Sequence, residues 1–160
     1  MNKEDAAARR LVSSSEKKQF LKYQNQIRCM HGVPYFTWSS SLARAAQSWA
    51  NKGHKYHSTS LGAFRKYGEN MCWGQTIKQC VQFWYKEIKN TNGGRLKSAN
   101  YGASHYSQLV WKRTHQVGCG KAHGIIVCQY KKRGNWAGQC PDCYASNVYG
   151  PKHSKSHCSR

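Results

Sequence analysis

Five stretches of the chain carry a hydrophobic rhythm, and four have the period of a helix. The first opens at Ser13-x-x-Glu16, a capping box; Phe20, Tyr23, Ile27 and Met30 follow near helical spacing until Gly32 and Pro34 stop the run. A second begins after Ser39 or Ser40, with Leu42, Ala45, Ala46, Trp49 and Ala50 on one stripe and Gly53 at its end. Its small alanines let another element approach closely. A third runs from a Thr76 cap through Ile77, Val81, Trp84 and Ile88, a stripe that demands a deep apolar partner, with Glu87 beside it and Asn92-Gly-Gly94 ending it. Between the second and third, Asn51 to Asn70 keeps no period and carries His54 and His57, so it reads as a loop suited to function.

The fourth helix is short. Ser104 reads as its cap, Tyr106, Leu109 and Val110 as its apolar face, and His105 sits in its first turn. The helix dipole disfavours imidazolium there, leaving a neutral ring that can bind a metal or accept a proton; the plainer alternative is a hydrogen-bonded structural histidine. Past Trp111 the period drops to two, and Gln116 to Ala122 and Ile125 to Tyr130 flank a two-residue turn at His123-Gly124. Pairing 122 with 125 sets Cys119 opposite Cys128 at a non-hydrogen-bonded position, close enough for a disulfide. Trp49, Trp84 and Trp111 read as core rather than as a base-stacking platform.

At 160 residues the chain is expected to form one domain, 13–139, between a flexible basic tail at 1–12 and a short Cys- and His-containing tail at 140–160, stapled or loose. The balance of 26 Lys and Arg against 6 Asp and Glu, a formal charge of +20, draws the molecule to polyanions, and Lys131-Lys132-Arg133 is the densest basic run. Acidic membrane and sulfated glycan both qualify. No specific nucleic acid is expected, since no RNA- or DNA-reading signature accompanies the charge. The 8 cysteines point to an oxidising compartment. Zinc is the competing use of Cys140-Pro-Asp-Cys143, with only Cys158 and His153 or His157 to complete a site. No apolar run reaches transmembrane length, and Met1-Asn-Lys-Glu-Asp5 carries no hydrophobic leader. The cysteines outweigh that opening, and the expectation is a secreted, extracellular, monomeric protein.

Taken in order, Cys29-Met-His-Gly-Val-Pro-Tyr-Phe-Thr-Trp38, Leu42-Ala-Arg-Ala-Ala-Gln-Ser-Trp49, His57-Ser58, Tyr67-Gly-Glu-Asn70, Phe83-Trp-Tyr-Lys-Glu-Ile88, His105-Tyr-Ser-Gln-Leu-Val-Trp111, Gly118-Cys-Gly120 and Val127-Cys-Gln-Tyr130 with Gly134-Asn135 resemble the CAP superfamily of cysteine-rich secretory, antigen 5 and pathogenesis-related 1 proteins. The likeness runs from about Phe20 to about Gln139 and is nearest to single-domain pathogenesis-related 1-like or Golgi-associated plant pathogenesis-related-like members. It implies an α+β fold, an α-β-α sandwich with a central antiparallel sheet between helices. It also implies a cleft holding His57, Glu69, Glu87 and His105, in which the histidines of some members bind zinc or a similar ion. The Cys119 to Cys128 bridge fits the same pattern. Gln24-Asn25 stands where many relatives have His-Asn, and the cysteine often found before the His-Ser block is absent, leaving the partners of Cys29, Cys72, Cys80, Cys140, Cys143 and Cys158 unread.

Two imidazoles with two carboxylates orienting a bound water form a donor set for a weakly bound zinc or other divalent cation, since structural sites use four protein ligands and most catalytic ones three. The alternative is a polar cleft whose carboxylates only hold loops. No Gly-x-Ser-x-Gly turn exists, and Ser58 and Ser104 are merely neighbours of histidines. What the resemblance implies is a non-enzymatic binding protein that captures a sterol or fatty acid, or another lipid, or binds acidic surfaces, in defence or host interaction; the +20 charge supports the surface part only. A metal-dependent hydrolase acting through His57, Glu69, Glu87 and His105 is the alternative.

Overall fold

The computed structural model describes residues 2–3, 10–58, 66–138, 140 and 142–159. The expected N-terminal tail therefore falls largely outside the described residues, as does the middle of the loop expected at 51–70. Helix α1 spans Ser14–His31, capped by the Ser13/Glu16 box and closed by Gly32 in the left-handed conformation. Helix α2 spans Ser40–Asn51 with the Ser39 hydroxyl as its cap, and α3 spans Ile77–Tyr85 behind a Thr76/Gln79 box. The third stripe was expected to stay α-helical to Ile88. It tightens instead into a 3-10 turn over Lys86–Asn90, which swings Glu87 toward the next helix, α4, Ser104–Val110.

Strands β1 (Thr37–Trp38), β2 (Gly68–Trp73), β3 (Gln116–Ala122) and β4 (Ile125–Lys131) form one sheet in the order β1-β3-β4-β2. The β3–β4 hairpin has Ala122 opposite Ile125 and Cys119 opposite Cys128; those cysteines are bridged, with Cα atoms 4.1 Å apart. Strand β2 pairs antiparallel with β4, whereas the two-residue β1 lies parallel to β3, so the sheet is mixed at that edge. Helix α2 covers one face over Met71, Ile125 and Val127; α1, α3 and α4 cover the other over Cys72, Ile126, Cys128 and Tyr130. The result is an α-β-α sandwich. Gly118 and Gly120 sit directly beneath α2, where a Cβ would come within 2.2 Å of the Ala43 nitrogen and 2.4 Å of the Gln47 Cα. The three expected core tryptophans, Trp49, Trp84 and Trp111, are all buried.

Gln24, at the position where many relatives carry histidine, is fully buried and accepts the Tyr130 hydroxyl at 2.6 Å, while its amide faces the Cys119–Cys128 sulfurs. Burial pushes the Tyr130 phenol well above its ordinary value, so it stays a neutral donor. The C-terminal segment is stapled. Cys29 bridges Cys158, the Lys152 amide donates to Met30, and His31 donates Nδ1–H to the Tyr149 carbonyl at 2.7 Å while accepting the Tyr85 hydroxyl. A short helix α5, Cys143–Asn147, adds Tyr144 to the core. The remaining cysteines pair as Cys72–Cys80 and Cys140–Cys143, so all eight are in disulfides and none is left to ligate zinc.

Among the described residues no carboxylate pairs with the buried Arg28. Its guanidinium donates instead to the carbonyls of Pro34 (2.6 Å), Leu109 (3.0 Å), Trp111 (2.8 Å) and Thr114 (2.7 Å), and it lies 4.0 Å from the centre of the Phe36 ring. These include carbonyls that the last turn of α4 leaves unpaired, so Arg28 caps that helix from α1. Burial lowers its pKa to about 9, which still leaves it cationic at neutral pH. Replacing it by methionine strands several buried carbonyls at once. The expected loss is about 3 kcal/mol or more in urea unfolding; a change below about 0.5 kcal/mol, the ordinary range for surface substitutions, would contradict this role.

Candidate functional site

The site forms where β2, the sheet edge opposite β1, meets the segment after α2 and the start of α4. Trp49 donates its indole N–H to the Tyr56 carbonyl at 2.9 Å and so fixes the approach to His57-Ser58. On β2, Glu69 points toward the α2 side and is almost completely enclosed. Its Oε1 accepts His57 Nδ1–H at 2.8 Å and the Ser58 N–H at 3.0 Å; its Oε2 accepts the Ser58 hydroxyl at 2.6 Å and the Gln129 amide at 3.0 Å. Burial alone would raise this carboxyl's pKa, but the four hydrogen bonds outweigh it and hold the group below its ordinary value.

Glu87 repeats the arrangement on the other side. One oxygen accepts the backbone N–H groups of His105 (2.8 Å) and Tyr106 (3.1 Å), and the other meets His105 Nδ1 at 2.8 Å. The Ser104 hydroxyl was expected to cap α4. Ser104 is instead its first residue, Ala103 stands at the cap position without a side-chain bond, and the carboxylate of Glu87 satisfies the exposed amides. The His105 ring is fixed further by lying parallel to Trp84, with centroids 6.3 Å apart, and Asn70 donates to its carbonyl. Trp84 in turn donates to the Met71 carbonyl of β2.

His57 and His105 thus line one cleft of about 400 Å³ with their carboxylates behind them. Each carboxylate takes the Nδ1 side of its imidazole and turns Nε2 to the role of ligand, the orientation used by carboxylate–histidine metal pairs. Among the described residues no group of three or more His, Cys, Asp or Glu is placed to hold an ion, so the donor set fits two imidazoles and no more. Tyr56, Trp73 and Phe83, all exposed, form an aromatic rim around the cleft. The basic run lies apart from this lining: Lys131 and Lys132 are exposed at the end of β4, and Arg133 stacks over Trp136.

The family profile described as the cysteine-rich secretory protein family, CAP, matches residues 21–130. The chain belongs to the cysteine-rich secretory protein family. Among curated relatives, human Golgi-associated plant pathogenesis-related protein 1 is 33% identical over 88% of this chain and 99% of its own. Repressed by EFG1 protein 1 of Candida albicans is 35% identical over 84% of this chain and 52% of its own, and Secreted protein RBT4 of the same organism is 33% identical over 84% and 41%. The chain spans about half the length of these fungal relatives. The fold matches crystal structures of Na-ASP-1 (TM-score 0.72, 19% identical, 94% of this chain and 45% of that one) and of NaASP2 with Zn2+ (TM-score 0.69, 19% identical, 93% and 90%).

Ser58, Gln129 and Asn70 complete the CAP cleft without having been read as site residues. All three stand inside the motifs quoted above, but the role of Gln129 becomes visible only through its register opposite Glu69 on β2.

Two outcomes are expected. Because the folded carboxyl of Glu69 has the lower pKa, its contribution is full above the ordinary value of 4.5 and is lost as pH falls through the depressed folded value. Glu69→Gln should therefore lower stability at pH 7 and flatten the acid limb of a melting-temperature profile; an unchanged slope below pH 4.5 would count against it. Glu87→Ala should cost about 1–2 kcal/mol through the lost cap and loosen His105, read as faster amide exchange at His105 and Tyr106.

Proposed function

We propose that this CAP domain is a secreted, non-catalytic binding protein for an anionic amphiphile, a fatty acid or acidic lipid, that works at negatively charged surfaces. The observation that carries this reading is a groove of about 480 Å³ between α1 and α3, walled by Ile27, Met30 and Val81 and edged by Lys22, Lys78 and Lys155. An apolar floor accepts an acyl chain, and lysines at the mouth answer a carboxylate or phosphate. The +20 charge brings the protein to membranes or glycans carrying such groups, with Lys131, Lys132 and Arg133 as the densest basic run. Sterol capture fits less well, since a sterol has no anion for three lysines.

The His57/His105 cleft is read as a weak, exchangeable divalent-ion site. Bound there, zinc would act as a Lewis acid. The two histidines would hold it through Nε2, and Glu69 and Glu87 would fix their rings. The hydrolase reading is disfavoured because both carboxylates are committed to imidazole and backbone donors, which leaves neither placed as a general base.

Native mass spectrometry with a long-chain fatty acid tests the groove. Met30→Trp, which narrows the groove from a half-buried position on its wall, should weaken binding at least about tenfold, given that a bulky side chain replaces the acyl contact. Equal binding by wild type and variant would overturn the assignment. For the cleft, calorimetry with zinc should give binding that His105→Ala abolishes and Glu69→Gln weakens roughly 10–100-fold; retention of zinc by His105→Ala would end the shared-ion reading.

A further inference from the structure

Among the four disulfides, Cys140–Cys143 stands apart. It closes a separation of 3 residues, against 8, 9 and 129 for the others. A bridge that closes so short a loop restrains the unfolded chain least, so its opening costs the fold least. Cys72–Cys80 and Cys119–Cys128 are sealed in the core, whereas Cys140 is half-buried at the surface and Cys143 is packed beneath it beside Tyr144. The exposed Arg113 directs Nη1 at the Cys140 sulfur at 3.7 Å, and its backbone is fixed by a hydrogen bond from its own N–H to the Asn147 side chain. A guanidinium in that position stabilises a Cys140 thiolate and has nothing comparable to offer Cys143. One accessible, cation-paired sulfur and one shielded sulfur are the division of labour that dithiol exchange requires.

We propose that Cys140-Pro-Asp-Cys143 is a redox-active pair that exchanges with exposed thiols of other polypeptides, a function separate from the groove and the histidine cleft. In its oxidised form an external thiolate attacks Cys140 Sγ. The Cys140–Cys143 bond breaks as the mixed disulfide forms, and Cys143 leaves with the electron pair and takes up a proton. A second external thiolate then attacks the external sulfur of the mixed disulfide and releases Cys140 as the thiolate beside Arg113. Two thiols become one disulfide, and two electrons pass to the pair. The same steps in reverse let the reduced pair open an exposed disulfide, with Cys143 resolving the intermediate.

The probe is glutathione, applied to the full folded chain in buffers of graded reduced-to-oxidised ratio, quenched with acid and mapped by differential alkylation. Cys140–Cys143 is expected to be half-reduced at a ratio [GSH]²/[GSSG] at least about tenfold below that needed by Cys72–Cys80 or Cys119–Cys128, with circular dichroism unchanged. If it stays oxidised until the core bridges open, the proposal fails. Cys143→Ser should accumulate a Cys140–glutathione adduct. In that background Cys140 should alkylate at neutral pH about tenfold faster than glutathione itself, fall severalfold with Arg113→Gln and recover with Arg113→Lys. Reactivity indifferent to Arg113 would assign the arginine no part. Should the variants fail to fold, the wild-type titration decides alone.

Discussion

A seven-residue helix held at both ends by charges from elsewhere is the constraint on which this molecule rests. Helix α4 is too short to persist by itself, since a helix of that length leaves most of its backbone groups without internal partners. Glu87, from the 3-10 turn after α3, takes the amides at its start, and Arg28, from α1, takes carbonyls at and beyond its end. Each charge has the sign that the helix dipole favours. Three helices are thereby locked into one layer by polar contacts inside an otherwise apolar cluster, and removing either charge would leave buried backbone groups stranded.

The same arrangement builds the cleft. Glu87 cannot cap α4 without also reaching His105, because the ring belongs to the turn whose amides it holds. Across the cleft, Glu69 does for His57 from a strand what Glu87 does for His105 from a turn. Both carboxylates are therefore structural and orienting at once. A protein with only 6 acidic residues places two of them here, and a third, Glu16, both caps α1 and pairs with Lys121. That concentration marks the cleft as the part of the surface least like the rest.

The helices were legible because their stripes and caps are local: the Ser13/Glu16 box, the Ser39 cap and the Thr76 cap each lie within four residues of what they serve. The hairpin was legible from a two-residue turn and simple register. Strand β2 was not, because Gly68 to Cys72 are buried on both faces and show no alternation to read. Strand β1 is two residues long and leaves no pattern. The cap of α4 was misassigned to Ser104 because the true partner stands eighteen residues earlier, a pairing no window detects. The four cleft residues were named through family likeness rather than through periodicity, and the cysteine partners beyond the hairpin needed the folded chain, since Cys29 meets Cys158 across 129 residues.

Gly118 and Gly120 let α2 rest on the bare backbone of β3, so over that strand no side chain of the sheet serves as a compressible spacer. Such a contact is rigid, and its thickness is set by main-chain atoms alone. Because the chain leaves α2 only a few residues before Tyr56 and His57, the height at which that imidazole stands over β2 is gauged by this contact, on the far side of the sheet layer from α4. The two walls of the cleft are thus registered by separate means, one by bare backbone and the other by buried charge. The rim between them can then change in sequence without disturbing the distance the walls keep.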